Sequence, residues 1–396
     1  MCPTTLAGQS AAHATATSSA VMPSPATPWW RAPFAAPMAD GRIDAIDLAR
    51  GFAVVLMILS HGIKGLLPFD QFPDWGIVPI HLVTKFSSSL FVIVFGIALA
   101  VVFLPRVGEP DWPRRRWGLI KRGVVVWIWY KILTIVEMSH LYPTADILDA
   151  LRYQRFPSFV EILGFYAIAL LWMPWFLSAW KRFPGWLRLA SPILLAGFGL
   201  WLAREFDFWE LPQLQALVVE HQDYYVWGQL TRGPLVLLGL LIGEWMLYGF
   251  ASPAVRRVLI ASLVVASTTL FALFFWLALP TLDDTLAALA RNVGKHPPAL
   301  DFMLFSVGGA LALLAIAVVG GKTLATWLRP VTLIGSDALQ AFIFHISVIF
   351  LLFRIALGYW HNIDYSTALG LTLALIVATA GWIRLVHWLT SRRGAS

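Results

Sequence analysis

Three residues near the start of the chain could do chemistry together: Asp47, Arg50 and His61. They fall in the run Arg42-Ile-Asp-Ala-Ile-Asp-Leu-Ala-Arg-Gly-Phe-Ala-Val-Val-Leu-Met-Ile-Leu-Ser-His61, which is apolar over most of its length. Read as a helix, eleven steps of about 100° return His61 to within about 20° of Arg50, so both project from one face. Asp47 precedes Arg50 by one turn, within reach of an ion pair. Rise along the axis separates Arg50 from His61 by about 16 Å, so the two ends of this stripe must do different jobs. An arginine at one end could hold a phosphate or pantetheine group, or simply lock Asp47. A neutral imidazole at the other could take a proton from a hydroxyl or amine as it attacks a thioester. The competing reading is structural: a buried, hydrogen-bonded histidine and a fixed ion pair.

His345 is a second histidine in an apolar setting, in Asp337-Ala-Leu-Gln-Ala-Phe-Ile-Phe-His345. Asp337 and Gln340 share its helix, which is the natural partner for the first. His81 and His296 read as loop or helix-end residues. No spacing that would bind a metal occurs: there is no HExxH and no CxxC, and His221 with Asp223 is the single close pair. Walker A, dinucleotide and G-x-S-x-G signatures are likewise missing.

The elements that carry these residues follow from composition. The chain has 396 residues, 59% of them hydrophobic and 13% charged, with a mean hydropathy of +0.72. An ordinary soluble domain is about 45–50% apolar and about 25% charged. So apolar a chain needs lipid as its solvent, and an all-α bundle of about ten spans of about 20 residues is expected. Those spans are placed at 46–66, 80–104, 118–138, 158–180, 187–203, 231–250, 255–279, 301–320, 332–353 and 367–389. A sequence pI near 9.7 does not indicate nucleic acid here, because the basic residues sit between the apolar runs. Putting the N-terminus inside places 19 of the 29 Lys and Arg residues in cytoplasmic segments, so both termini are expected inside. Multi-pass insertion in the cell (inner) membrane follows from that reading. Residues 1–41, rich in Ala, Ser, Thr and Pro, read as a disordered cytoplasmic tail, and 42–396 as the membrane domain. The single cysteine, Cys2, excludes intramolecular disulfides.

Within this frame an ionisable group inside a span is costly and so a functional candidate. Lys85, Lys131, Glu137, Glu161 and Glu244 join the stripe on that ground, although sequence gives no way to pair them. The basic cluster from Arg106 to Arg122 anchors topology, or else Arg115 and Arg116 take the phosphates of an anionic ligand such as coenzyme A. The outer loops bring aromatics beside carboxylates, among them Trp209, Glu220, Tyr225 and Trp227. That mixture suits sugar binding, and suits an aromatic belt at the headgroups equally well.

These residues carry a resemblance. Arg42-Ile-Asp-Ala-Ile-Asp-Leu-Ala-Arg-Gly followed by His61 resembles the opening of the transmembrane acyltransferase superfamily. Phe86 to Ala100, ending Phe-Gly-Ile-Ala-Leu-Ala, is similar to its second helix. Gly294-Lys-His-Pro-Pro-Ala-Leu-Asp-Phe-Met-Leu resembles the Lys-Tyr-Pro-Pro-Ser-Leu pattern of bacterial relatives of heparan-α-glucosaminide N-acetyltransferase. Gly335-Ser-Asp-Ala-Leu-Gln-Ala-Phe-Ile-Phe-His345 resembles their Gly-Arg-Val-Pro-Leu-Phe-Tyr-Tyr-Leu-Leu-His segment, with Ser336 and Asp337 in place of Arg-Val. Lys85 stands where those relatives commonly have a histidine.

The resemblance implies an acyl-CoA co-substrate, most simply acetyl-CoA, on the cytoplasmic side and a carbohydrate acceptor outside. No tightly bound cofactor or metal is implied. Arg50, Asp47, Arg115 and Arg116 would bind the donor, His61 would be the general base, and His345 would orient it or share its proton. In the lysosomal enzyme the catalytic histidine lies in the loop after the first helix, which keeps His81 open as the base. The alternative function is a transporter or flippase in which Asp47, Arg50 and His61 relay protons. Oligomeric state is not legible.

Overall fold

The computed structural model describes residues 43–393; the tail read at 1–41 lies outside them. Fifteen α-helices run in order: α1 Asp44–Lys64, α2 Asp74–Val83, α3 Phe86–Val102, α4 Trp112–Met138, α5 Thr144–Leu151, α6 Glu161–Arg182, α7 Gly185–Glu205, α8 Pro212–Val219, α9 Gln229–Ala251, α10 Pro253–Ala278, α11 Leu282–Ala290, α12 Leu300–Trp327, α13 Arg329–Ser336, α14 Ala338–Ser347 and α15 Tyr365–Arg393. No β-strand occurs among the described residues. This suits a bilayer, since a helix satisfies its backbone polar groups within its own segment. Nine helical segments of the described residues are long and apolar enough to cross a membrane. The chain is therefore an all-α, polytopic membrane bundle.

Nine of the ten expected spans coincide with these segments. The remaining one, 118–138, is helical as part of α4, but the helix also carries Arg114, Arg115, Arg116, Lys121, Arg122, Lys131 and Glu137. Its mean apolarity falls below that of the others for this reason, and one face packs on α6. The expected span 332–353 is broken. Asp337, with φ −138° and ψ 69°, ends α13, and its carboxylate then accepts the backbone N–H of Gln340 as the N-cap of α14.

The centre of the bundle is α1, packed against α3, α12, α13, α14 and α15. Hence α1 can bury Asp47, Ser60 and His61 among protein rather than lipid. Peripheral α7, α10 and α15 turn bulky side chains outward, as with Ile193, Trp276 and Val377, and that is the expected lipid-facing surface. Helices meet closely where glycines allow it. A Cβ on Gly239 of α9 would lie 2.2 Å from the Ile93 carbonyl oxygen, and one on Gly96 of α3 would lie 2.2 Å from that of Val236. Gly239→Ala should therefore force α3 and α9 apart at a cost of about 1–3 kcal/mol. Thermal unfolding in detergent would show it, and an unchanged midpoint would mean that the crossing is looser than described.

Charges inside the bundle find partners across helices. Glu244 of α9 meets Arg188 of α7 at 2.7 Å. Glu137 accepts the backbone N–H groups of Ser158 and Phe159 at 2.6 and 3.1 Å. Lys131 donates to the carbonyls of Ala150 and Leu151 and sits 3.5 Å from the Tyr153 ring centroid. These three satisfy buried backbone or an opposing charge, which is a structural task.

Candidate active site

Two histidines meet in the middle of the bundle. His61, in the last turns of α1, brings Nδ1 to 3.2 Å from Nε2 of His345 on α14. The rings stack at 5.5 Å between centroids, with 27° between planes. His345 is fully buried, and its Nδ1 lies 2.8 Å from the Ala341 carbonyl oxygen one turn earlier. Phe159 and Phe342 present edges to the His61 ring at 5.4 and 6.2 Å. Directly after His345 the helix widens into a π-helical stretch, Val348–Ala356, a distortion that recurs at functional sites. That stretch carries Arg354, buried, donating through Nε to the Gly65 carbonyl and stacked 3.7 Å from the Trp360 ring. This contact ties the end of α1 to the end of the α14 segment.

The acceptors fix the tautomers. A carbonyl oxygen only accepts, so His345 Nδ1 carries the hydrogen. His345 Nε2 is then a lone pair, and His61 Nδ1 must donate to it. That leaves His61 Nε2 unprotonated, as a base needs. When it gains a proton, the Nδ1 hydrogen bond to His345 becomes charge-assisted and strengthens.

Two cavities approach this pair. One, a pocket of about 310 Å³, has Arg50 and Arg122 with walls that include Phe95, Tyr166, Leu339 and Phe342. Arg50 donates to Asp47 Oδ1 at 3.3 Å and to the Gly335 carbonyl at 3.0 Å, which aims its side chain across α1 toward α13. The other, a polar cavity of about 40 Å³, is bounded by His61, Lys64, Lys85, Glu161, Asn292 and Lys295. At about 10–15 Å³ per water this holds a few waters or one polar group of a ligand, not a hexose ring. Phe342 lines the first pocket and stands edge-on to both imidazoles, while His61 lines the polar cavity, so Phe342 and His61 lie where the two spaces approach each other.

The structure thus pairs Asp47 with Arg50 in the first turns of α1 and His61, in its last turns, with His345. Arg115 and Arg116 are elsewhere. Arg115 is paired with Asp111 at 2.5 Å, and Arg116 lies 3.8 Å from the Trp175 ring. Arg122, about two turns further along α4, is the basic residue of this cluster that lines the pocket. His81 is fully buried, stacked on Phe72 at 4.6 Å with Tyr365 Oη 3.3 Å from Nε2, and does not line the polar cavity. Lys85 reaches Asn292 Oδ1 at 2.5 Å, and Lys295 reaches Glu161 at 3.5 Å and Tyr225 Oη at 2.6 Å. Lys64, Asn292 and Lys295 escape a sequence reading because loops and helix ends normally carry such residues. Among the described residues no three His, Cys, Asp or Glu side chains gather as a metal site.

Beside the polar cavity lies a buried network that sequence did not reveal. Glu220 sits at φ 69° and ψ 153°, a region that side chains other than glycine rarely adopt. Its carboxylate accepts from Arg232 at 2.8 Å and lies 2.9 Å from His296 Nδ1. Arg232 also donates to the Lys295 carbonyl at 2.6 Å, which fixes the backbone that carries the cavity lysine. Burial would raise the Glu220 carboxyl, but Arg232 and His296 outweigh it and hold it below the usual range. Burial pushes His296 down to about 4, against the pull of Glu220. Both shifts have one sign for stability: the unfolded chain takes up protons that the native one refuses. The fold should therefore lose stability as pH falls from about 6.5 to about 4, and His296→Gln should flatten that part of the curve. Chemical unfolding at several pH values checks this, and an identical slope in the variant would refute it.

A multi-pass helical membrane protein with a buried histidine pair beside a polar cavity is the class that fold and site define. The profile of the family described as heparan-alpha-glucosaminide N-acetyltransferase, catalytic, matches residues 42–278, more than half of the chain, and the chain belongs to this family. It is accordingly a membrane enzyme of the N-acetyltransferase type. The matched region contains Asp47, Arg50, His61 and Glu161, while Asn292, Lys295 and His345 fall after it. A search of the curated proteins finds no match.

Proposed function

We propose that the protein transfers an acetyl group from acetyl-CoA, bound on the Arg50 side, to a carbohydrate acceptor on the Lys64 side. The single observation that supports this most is the histidine pair, with its tautomers fixed, in which His61 borders the polar cavity and Phe342 joins it to the Arg50 pocket. The pocket with Arg50 and Arg122 has the makeup that a pantetheine arm and an anionic end require: apolar walls and two guanidinium groups. The acceptor presents one hydroxyl or amine to His61 Nε2. As its oxygen or nitrogen bonds to the thioester carbonyl carbon, its proton passes to Nε2. The carbon–sulfur bond then breaks, and the leaving thiolate takes that proton from the imidazolium, giving free CoA and neutral His61. His345 positions His61 and stabilises its charged form; it does not touch substrate.

With α4 taken as a tenth crossing beside the nine apolar ones, the charge bias of the loops supports an arrangement with both termini in the cytoplasm and the Arg50 side facing it, as in a cell (inner) membrane protein. Arg50→Ala should weaken acetyl-CoA binding about tenfold or more, the loss of a hydrogen bond to a charged group being about 1.5–3 kcal/mol. Titration of the detergent-purified protein measures it. Equal affinity in the variant would remove Arg50 from the donor site.

A further inference from the structure

The polar cavity is built for an anion. Three lysines, Lys64, Lys85 and Lys295, line it together with a single carboxylate, Glu161. Glu161 is engaged with Lys295 at 3.5 Å. Lys85 has only the neutral Asn292 amide oxygen, and Lys64 has no hydrogen-bond or ion-pair partner among the described residues. The three amines are close enough to act on one another electrostatically. Gathering like charges in a cavity shielded from water is costly unless an opposite charge joins them. Among the described residues no acid lines the cavity beyond Glu161.

We infer that the acceptor is a hydroxyl-bearing sugar carrying a carboxylate or similar anionic group, with Lys64 and Lys85 holding the anion while the hydroxyl faces His61. The inference rests on the acetyltransferase reading and narrows its acceptor. Lys64 follows His61 by three residues on α1, so its stem rises from the same face as the base. An anion held there sets a neighbouring hydroxyl beside Nε2. A protonated amino sugar meets the opposite arrangement: three amines line the cavity against one carboxylate, which already faces Lys295. On this inference the reaction departs from the N-acetyl transfer that the family's description names: the hydroxyl proton passes to His61 and the thioester carbon–sulfur bond breaks as above.

The test is acetyl transfer by the full-length protein in detergent, from acetyl-CoA to methyl glucuronide, methyl glucoside and methyl glucosaminide. The glucuronide should be used at least about tenfold more efficiently, in kcat/KM, than either of the others, as expected for one well-placed opposite charge. Lys64→Gln should bring the glucuronide-to-glucoside ratio toward one by raising KM for the glucuronide, and Lys64→Arg should restore most of it. Preference for the glucosaminide, or a ratio unmoved by Lys64→Gln in protein with wild-type thermal unfolding, would overturn the inference while leaving acetyl transfer intact. A raised KM for acetyl-CoA in Lys64→Gln would also overturn it, because the lysines would then hold the donor. Failure to transfer to any sugar, together with failure to bind acetyl-CoA, would instead defeat the acetyltransferase reading and the inference with it.

Discussion

His61→Ala lowers acetyl transfer by at least about a hundredfold, the usual cost of removing a positioned general base. The protein should still fold and still bind acetyl-CoA, because the proposed donor pocket is lined by Arg50, Arg122 and apolar side chains and not by His61. His345→Ala behaves differently. It leaves His61 Nδ1–H without an acceptor, so the ring loses both its orientation and its fixed tautomer. Transfer falls, and its dependence on pH changes, because His61 can now protonate on either nitrogen. His345→Gln, which keeps an acceptor near that position, should recover part of the rate. The comparison is made by steady-state kinetics on protein matched for thermal unfolding. A His61→Ala enzyme with near wild-type kcat would remove the base from its role, and His81 would become the residue to examine.

The second large effect is on folding. Arg232→Ala leaves Glu220 buried and without its main partner, and breaking a buried pair in this way costs about 3–5 kcal/mol. The damage should spread to the site. Arg232 also holds the Lys295 carbonyl, and Glu220 keeps a backbone conformation that only such contacts sustain. Replacing both residues together, as Glu220→Leu with Arg232→Met, should be much milder, since two apolar groups leave no charge stranded. Unfolding in detergent distinguishes the cases. Equal loss in the single and double variants would mean that the pair contributes through shape alone.

Much of this was legible in the sequence, and the reasons are specific. The eleven-residue interval predicts one face for Arg50 and His61, and the structure carries Asp47, Arg50 and His61 on the single helix α1, with Asp47 and Arg50 paired. Pairing that helix with the one that carries His345 was also open to inference, because two intramembrane histidines each need a polar neighbour. The other members of the site were hidden for different reasons. Lys295 and Asn292 lie between α11 and α12, where polar residues carry no signal, and only the folded chain brings them to Lys85 and Glu161. Arg122 could not be told from Arg115 and Arg116 without knowing which face of α4 meets α6, since a basic cluster at a helix start anchors topology in any case. The break at Asp337 was missed because an apolar run on either side masks a one-residue cap. His296 looked like a loop residue by its neighbouring prolines, yet its side chain is only 3% exposed and faces Glu220.

Vectorial acetyl transfer in proteoliposomes tests the central claim most directly. Labelled acetyl-CoA is supplied on the side of the membrane that exposes the chain termini, and methyl glucuronide is enclosed on the other. The account predicts labelled acetylated sugar in the enclosed compartment with wild-type protein and none above background with His61→Ala. Folded wild-type protein that yields no acetylated product and binds no acetyl-CoA from either side would contradict it, and Asp47, Arg50 and His61 would then read as an ion path.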